Sequence, residues 1–159
     1  VKERKLGIGV KEHILNEGKI LNILNKHKIG PKVFYYDKDK IIMEYIKGPT
    51  FLKWLENKKQ NKKEVRKIVN EILRQCRILD KLKMQKEEMH RPIKHIIISK
   101  RAKMIDFERV RLKENPSNVT QFCQFLIHLN LMKHDIRIIR RYKKKQNSAN
   151  FISLKKLVV

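Results

Sequence analysis

The chain has 159 residues, with 40 Lys and Arg against 16 Asp and Glu, which gives a formal charge of +24. That length and the 41% hydrophobic content suit one folded domain and argue against disorder. No apolar run approaches the ~18–20 residues that span a bilayer, and no N-terminal secretory pattern is present, so we expect a cytoplasmic domain without a membrane partner.

The positive charge has two interpretations. A cationic surplus attracts polyanions such as RNA, DNA or nucleotides, but many of the lysines can equally be solvated surface. The basic run between Lys133 and Lys145, with Tyr142 available for stacking, is either a contact for RNA (tRNA included) or a solvated helix face. Cys76 and Cys123 are predicted to be buried small hydrophobes rather than a disulfide or a zinc site.

The first third of the chain predicts a helix, a hairpin and a short helix. Apolar residues at helical spacing from Glu12 onward indicate a helix that Gly30-Pro31 terminates. Residues 33–36 and 41–46, joined by an Asp-containing turn, are typical of a β-hairpin. Gly48-Pro49 ends the second strand, and Thr50 begins a short helix.

The rest of the chain predicts mostly helices. One apolar face extends from Val65 to Leu79 and indicates a core helix. A polar stretch follows, and then a smaller hairpin from residues 96–98 and 104–105. A further helix begins at Ser117 or Asn118, and a last helix is predicted around Ile136. Strands early and helices late favour the α+β class.

The stretch from Glu88 to Glu108 is the best candidate for chemistry. A polar loop with Glu88 and His95 precedes a hairpin that ends in Asp106-Phe107-Glu108. An acid at the end of a buried strand, opposite a polar loop, is suited to hold Mg²⁺ beside a second acid. The alternative is that Asp106 begins a turn and that Glu88 and His95 are surface residues.

This order of loop, hairpin and Asp-Phe-Glu resembles the catalytic loop and Asp-Phe-Gly segment of protein kinases. It is more similar to a group of small prokaryotic predicted Ser/Thr protein kinases, distant relatives of the kinase in the tRNA threonylcarbamoylation complex. The segments that carry the resemblance are Gly30-Pro31-Lys32, Ile42-Met43-Glu44-Tyr45-Ile46-Lys47-Gly48, Cys76-Arg77-Ile78-Leu79-Asp80, Arg91-Pro92-Ile93-Lys94-His95-Ile96-Ile97, Met104-Ile105-Asp106-Phe107-Glu108 and Asn118-Val119-Thr120.

The resemblance implies one kinase-like domain over residues 1–159. Residues 1–47 would form a reduced N-lobe and residues 48–159 a small, mostly helical C-lobe. The family's glycine-rich strands precede the position of Lys2, so the resemblance further implies that the kinase-like domain is truncated at its N-terminus.

The implied activity is transfer of the γ-phosphoryl group of ATP to a Ser or Thr hydroxyl of an unknown protein, with ATP and Mg²⁺ as cofactors. By resemblance, Lys2 holds the α- and β-phosphates and Glu17 is its ion-pair partner. The hinge that meets the adenine would be Met43, Glu44 and Tyr45.

The resemblance also assigns the catalytic loop. Asp106 would chelate Mg²⁺, and His95 occupies the place of the second metal-facing residue. Glu88 would orient or deprotonate the acceptor hydroxyl.

Two departures from the kinase pattern support an alternative function. Lys86-Glu87-Glu88 stands where kinases have His-x-Asp, and no glycine-rich loop precedes Lys2. The alternative is a catalytically weak or inactive pseudokinase that binds RNA or scaffolds a partner through its basic surface. A plain helical nucleic-acid-binding domain is a third interpretation, although no helix-turn-helix signature supports it.

Overall fold

The computed structural model describes the backbone of residues 2–3, 10–57 and 60–159. Side chains are described for residues 13–57 and 60–159. A three-stranded antiparallel sheet begins the chain, formed by β1 (Lys2–Glu3), β2 (Val33–Tyr36) and β3 (Lys40–Met43) in the order β1-β3-β2. Helix α1 (Val10–Asn25) packs on this sheet and buries Leu21 and Leu24 completely.

The end of α1 is tied to the sheet by one side chain. Asn25 donates its amide to the carbonyl of Pro31 at 2.8 Å and accepts the amide of Val33 at 2.9 Å. Gly30, which lies between Asn25 and Pro31, has a left-handed φ of +77°, and a Cβ there would lie 2.5 Å from Leu21. The predicted Gly30-Pro31 stop therefore marks a turn that only glycine fits without strain.

The remaining helices form the second part of the fold. They are α2 (Phe51–Glu56), α3 (Lys62–Lys81), α4 (Asn118–His128), α5 (Ile136–Lys144) and α6 (Ser148–Lys155). Helix α3 is central, because it buries an apolar face against α4 and the neighbouring strands. Its first turn is capped by Asn61, whose side chain accepts the amide of Glu64 at 2.9 Å.

A buried carboxylate joins three of these helices. Asp80 accepts the amide and the side-chain nitrogen of Asn118, at 2.9 and 2.8 Å, and the amide of Val119 at 3.3 Å. The hydroxyl of Tyr142 donates to the same carboxylate at 3.2 Å. Burial raises the pKa of Asp80, and these donors oppose that rise by stabilising the ionised form.

Two short ladders frame the loops between α3 and α4. Strand β4 (Met84–Gln85) pairs with β7 (Arg111–Leu112), and β5 (Ile96–Ile98) pairs with β6 (Ala102–Met104), both antiparallel. The segments that leave these strands, residues 86–95 and 105–110, consequently face each other.

The α+β class and the predicted helices are confirmed, and both predicted hairpins are present. The second strand of the smaller hairpin is Ala102–Met104, so its prediction at residues 104–105 is wrong, because the turn is tighter and occupies residues 99–101. The second strand of the first hairpin ends at Met43, so the prediction that it reaches residue 46 is wrong, and residues 44–47 lie outside any strand. Helix α6 and the β4–β7 ladder were not predicted.

Cys76 and Cys123 are both buried free thiols, as expected. Within the described part of the chain, no helix combines the length and apolar character needed to cross a membrane.

Candidate active site

The candidate active site lies where the two facing loops meet. Glu88 and Asp106 both have a φ of 64°, in the left-handed region that non-glycine residues rarely adopt. The amide of Ile105 donates to the carbonyl of His95 at 3.0 Å, which fixes the spacing of the loops just before Asp106. Strained backbone at two neighbouring acids is typical of functional sites.

Three carboxylates converge at the start of the second loop. One ligand oxygen from each of Glu17, Asp106 and Glu108 lies within 4.8 Å of the others. Glu17 is only 1% exposed and accepts the amide of Phe107 at 3.0 Å. The neighbouring Asn16 donates to the carbonyl of Glu108 at 3.0 Å, so α1 holds this loop through two adjacent residues.

The chemistry of this carboxylate group fits a hard divalent cation. Mg²⁺ and Ca²⁺ take carboxylate oxygens, and Mg²⁺ keeps positions open for water or phosphate. Glu17, Asp106 and Glu108 offer three such oxygens at a point where Asp106 is exposed. The residues present are therefore compatible with the predicted metal.

Lys86 is a buried cation beside this group that sequence reasoning did not single out. Its side chain is 2% exposed, and its ammonium donates to the carbonyl of Asp106 and lies 4.8 Å from the centre of the Phe107 ring. Burial lowers the pKa of Lys86 to about 8, while Asp106, Glu17 and Glu88 act in the opposite direction. The sequence signal that could have identified Lys86 is its place in the motif, because it stands where the kinase catalytic loop has His.

His95 and Glu88, both predicted site residues, are in direct contact through the Nε2 atom and a carboxylate oxygen. The Nδ1 atom of His95 lies 3.6 Å from the Asp106 carboxylate, too far for a hydrogen bond. That nitrogen is buried and has no hydrogen-bond partner among the described residues. Glu87, which the sequence did not separate clearly from Glu88, pairs instead with Arg111 at 3.5 Å.

Two cavities meet at Asp106. One, of about 210 Å³, is lined by the polar side chains of both loops, with Lys86, Glu88, His95 and Arg109 among them. The other, of about 510 Å³, is lined by Glu17, by residues 43–46 and by apolar side chains that include Ile97 and Ile105. Because four acidic side chains line the polar cavity against Lys86 and Arg109, a polyanion would enter it only together with a cation.

The predicted hinge residues line the larger cavity, but the three residues differ in exposure and in hydrogen bonding. Tyr45 is 87% exposed, and Met43 is half-buried against the core. Glu44 turns its carboxylate away to Lys103, at 3.1 Å, and its amide donates to the carbonyl of Lys32 at 2.8 Å. The amide of Glu44 is thus engaged within the protein rather than presented to the cavity.

The predicted phosphate-binding residue, Lys2, can be placed only by its backbone. Lys2 lies opposite Ile41 on the sheet edge formed by β1. Its side chain, and with it the predicted ion pair to Glu17, lies outside the described part of the structure.

Comparison with known proteins gives a match in structure only. No family profile matches the chain, and no match is found among curated protein sequences. Among solved structures, the chain is similar to WbdD, determined as a co-crystal with the kinase inhibitor LY294002. The likeness is one of fold.

The match to WbdD covers 99% of this chain and 40% of that chain, with a TM-score of 0.61 and 20% sequence identity. The chain thus spans well under half of the WbdD chain. The likeness agrees with the kinase-like fold that the sequence motifs imply. At 20% identity it does not assign a role to any site residue.

Proposed function

We propose that the protein binds Mg·ATP and transfers its γ-phosphoryl group to a Ser or Thr hydroxyl of a protein. The observation that carries this proposal is the convergence of Glu17, Asp106 and Glu108 where the hinge-lined cavity meets the polar one. The fold likeness to WbdD supports it independently at the level of architecture.

The larger cavity suits the nucleoside. Ile97, Ile105 and Met43 offer apolar walls for a flat base, and Tyr45 and Ile46 line the same space. Glu17 and Asp106 also line this cavity, and Asp106 is shared with the polar cavity. A nucleotide with its base at the hinge would therefore place its phosphates at the carboxylate group.

Asp106, Glu108 and Glu17 would hold the Mg²⁺. The metal would supply positive charge that neutralises the phosphates during transfer. Lys86 helps to set this site, because its bond to the carbonyl of Asp106 holds that residue in its left-handed conformation. Its ammonium also offsets part of the negative charge that the carboxylates gather.

Glu88 is the residue placed to handle the acceptor hydroxyl. Its carboxylate lines the polar cavity and contacts the Nε2 atom of His95, which orients it. As the hydroxyl oxygen bonds to the γ-phosphorus and the bond to the bridging oxygen breaks, Glu88 would accept the hydroxyl proton. Arg109, with its guanidinium 3.9 Å from the Glu88 carboxylate, is a further cation at this cavity.

Nucleotide binding tests the metal role. Calorimetry with Mg·ATP and with ATP plus a chelator is compared between wild type, Asp106→Asn and the matched control Glu114→Gln, an exposed acid outside the carboxylate group and both cavities. We expect wild type and the control to bind Mg·ATP at least tenfold more tightly than Asp106→Asn. Equal affinity in all three proteins, or no dependence on Mg²⁺, would contradict the proposal.

Transfer is tested separately with γ-labelled ATP and a mixed protein acceptor. We expect label on Ser or Thr with wild type, and Glu88→Gln should bind Mg·ATP normally while losing at least 100-fold in rate. Wild-type protein that binds Mg·ATP and transfers no phosphate would exclude the kinase activity and favour the nucleotide-binding pseudokinase.

A further inference from the structure

A third concave surface lies beside Glu44, between the end of α1 and strand β2. We call it the basic groove. It has a volume of about 760 Å³ and is lined by polar and basic side chains and one aromatic ring, chiefly Asn22, Lys26, Lys28, Lys32, Phe34 and Lys103. None of these residues belongs to the carboxylate group or the polar cavity.

The groove carries a strong local positive charge. Four of its lining side chains are lysines, and Glu44 is the single carboxylate among them. The Glu44 carboxylate accepts two hydrogen bonds, one from the ammonium of Lys103 and one from the backbone amide of Lys32, both at 3.1 Å. The side chains of Lys26, Lys28 and Lys32 are exposed. The backbone amide of Lys32 holds the pKa of the Glu44 carboxyl below its ordinary value, and the positive charge of Lys32 helps to do so.

An aromatic ring stands in the wall of this groove, where the strand is irregular. The pairing of β2 with β3 shifts between Val33 and Tyr35, so Phe34 is the extra residue of a bulge on an edge strand. Its side chain is 62% exposed, which is unusual for a phenyl ring. The ammonium of Lys32 lies 5.6 Å from the ring centre, so charge and ring are adjacent.

We propose that the basic groove binds single-stranded nucleic acid, with an unpaired base stacked on Phe34 and phosphates held by Lys26, Lys28 and Lys32. Exposed aromatic rings interleaved with cations are the means by which proteins bind unpaired strands, because every base has a face to stack. A duplex offers no free base face to a ring in a groove, and it is therefore disfavoured. This site is independent of the proposed phosphoryl transfer.

The aromatic contact is tested by anisotropy with a fluorescein-labelled uridine 12-mer and its deoxy counterpart. Phe34→Leu keeps an apolar side chain and removes the ring, whereas Phe34→Tyr keeps the ring. We expect Phe34→Leu to weaken binding of at least one strand about fivefold or more, since stacking contributes roughly 1–3 kcal/mol per base. Phe34→Tyr should bind within twofold of wild type. Equal binding by Phe34→Leu and wild type would overturn the proposal.

The charge contribution is tested with a matched pair of double variants. Lys26→Gln/Lys32→Gln removes two groove charges, and Lys62→Gln/Lys63→Gln removes two exposed charges at the start of α3. We expect only the groove variant to flatten the salt dependence, by about 1.4 in the slope of log K against log salt for two lost phosphate contacts. An equal change in both variants would show diffuse attraction by the whole surface and overturn the proposal.

A competition arm separates strand types and confirms the mode of binding. An unlabelled single strand should displace the probe at a concentration at least tenfold lower than a duplex of the same length. A duplex that competes equally well would contradict base stacking in the groove. Circular dichroism on each variant verifies folding, and we expect no change because Lys26, Lys32 and Phe34 are exposed.

Discussion

Glu44 lines both the basic groove and the cavity that contains Glu17 and Asp106, yet the groove and the carboxylate group are built in opposite ways. Glu17 is buried and bonded to the backbone of Phe107, so its position is fixed by the fold. The groove lysines Lys26 and Lys32 are exposed and attached to no such framework. The comparison shows that the carboxylate group is positioned by a buried hydrogen bond, whereas the groove charges are held on exposed side chains.

The largest effect is expected from removing Glu17. In Glu17→Ala the buried amide of Phe107 loses its acceptor, which costs about 1–3 kcal/mol of unfolding free energy, and Mg·ATP binding should be lost. Glu17→Gln keeps an acceptor oxygen and should recover most of the stability without recovering Mg²⁺-dependent binding. Urea denaturation and calorimetry measure the two properties, and equal stability of both variants would contradict this role of Glu17.

A second effect concerns Lys86 and pH. The pKa of Lys86 is about 8 in the folded protein, below its ordinary value of 10.5, so between these values the unfolded state binds more protons. The stability of wild type relative to Lys86→Met should therefore rise by about 2 kcal/mol between pH 7 and pH 10. Denaturant titrations of both proteins at the two pH values measure it, and parallel pH profiles would be evidence against a buried ammonium.

Gly30 lines the basic groove and lies against Phe107, whose amide binds Glu17 of the carboxylate group. Its substitution should therefore moderately destabilise both regions. A Cβ at this left-handed position would lie 2.5 Å from Leu21 and 3.1 Å from the ring of Phe107. We expect Gly30→Ala to lose about 1–3 kcal/mol of stability. Gly48→Ala is not a suitable control because its Cβ would clash with the backbone of Ile98, so Ala149→Gly at an exposed helix position is used. If Gly30→Ala loses no more stability than the control, the packing at this turn is not limiting.

The smallest effect is expected in the groove itself. Lys26→Gln/Lys32→Gln should change the free energy of unfolding by less than about 0.5 kcal/mol, because both side chains are exposed. Thermal unfolding beside wild type measures this. A larger loss would mean that the groove lysines support the fold, and the contrast with Glu17 would disappear.

Much of the fold was predictable because its elements have strong local signals. The apolar face of α3 and the Gly30-Pro31 stop identify their elements without tertiary information. Helix α6 escaped prediction because its apolar residues do not follow one clear face. Strands β4 and β7 have two residues each, too few for a periodic pattern.

The candidate site was predictable through motif order rather than through chemistry. The resemblance singled out Glu17, Glu88, His95 and Asp106, and the structure brings these four side chains to adjoining cavities. Lys86 was missed as a site residue because a lysine at that position is foreign to the motif, and only the folded chain shows it buried. The groove escaped prediction because the exposure of Phe34 depends on a bulge in strand pairing.

The carboxylate of Asp80 also has a consequence for the motions of the C-terminal half. Because it binds the first turn of α4 and the Tyr142 hydroxyl of α5 at once, these helices cannot separate from α3 one at a time. Hydrogen exchange should therefore report a single cooperative opening, with the amides of Asn118 and Val119 among the slowest to exchange. Asn118 in turn accepts a hydrogen bond from the backbone amide of Lys86 at 2.8 Å, so we expect the buried lysine of the candidate site to be anchored to this slowly opening region.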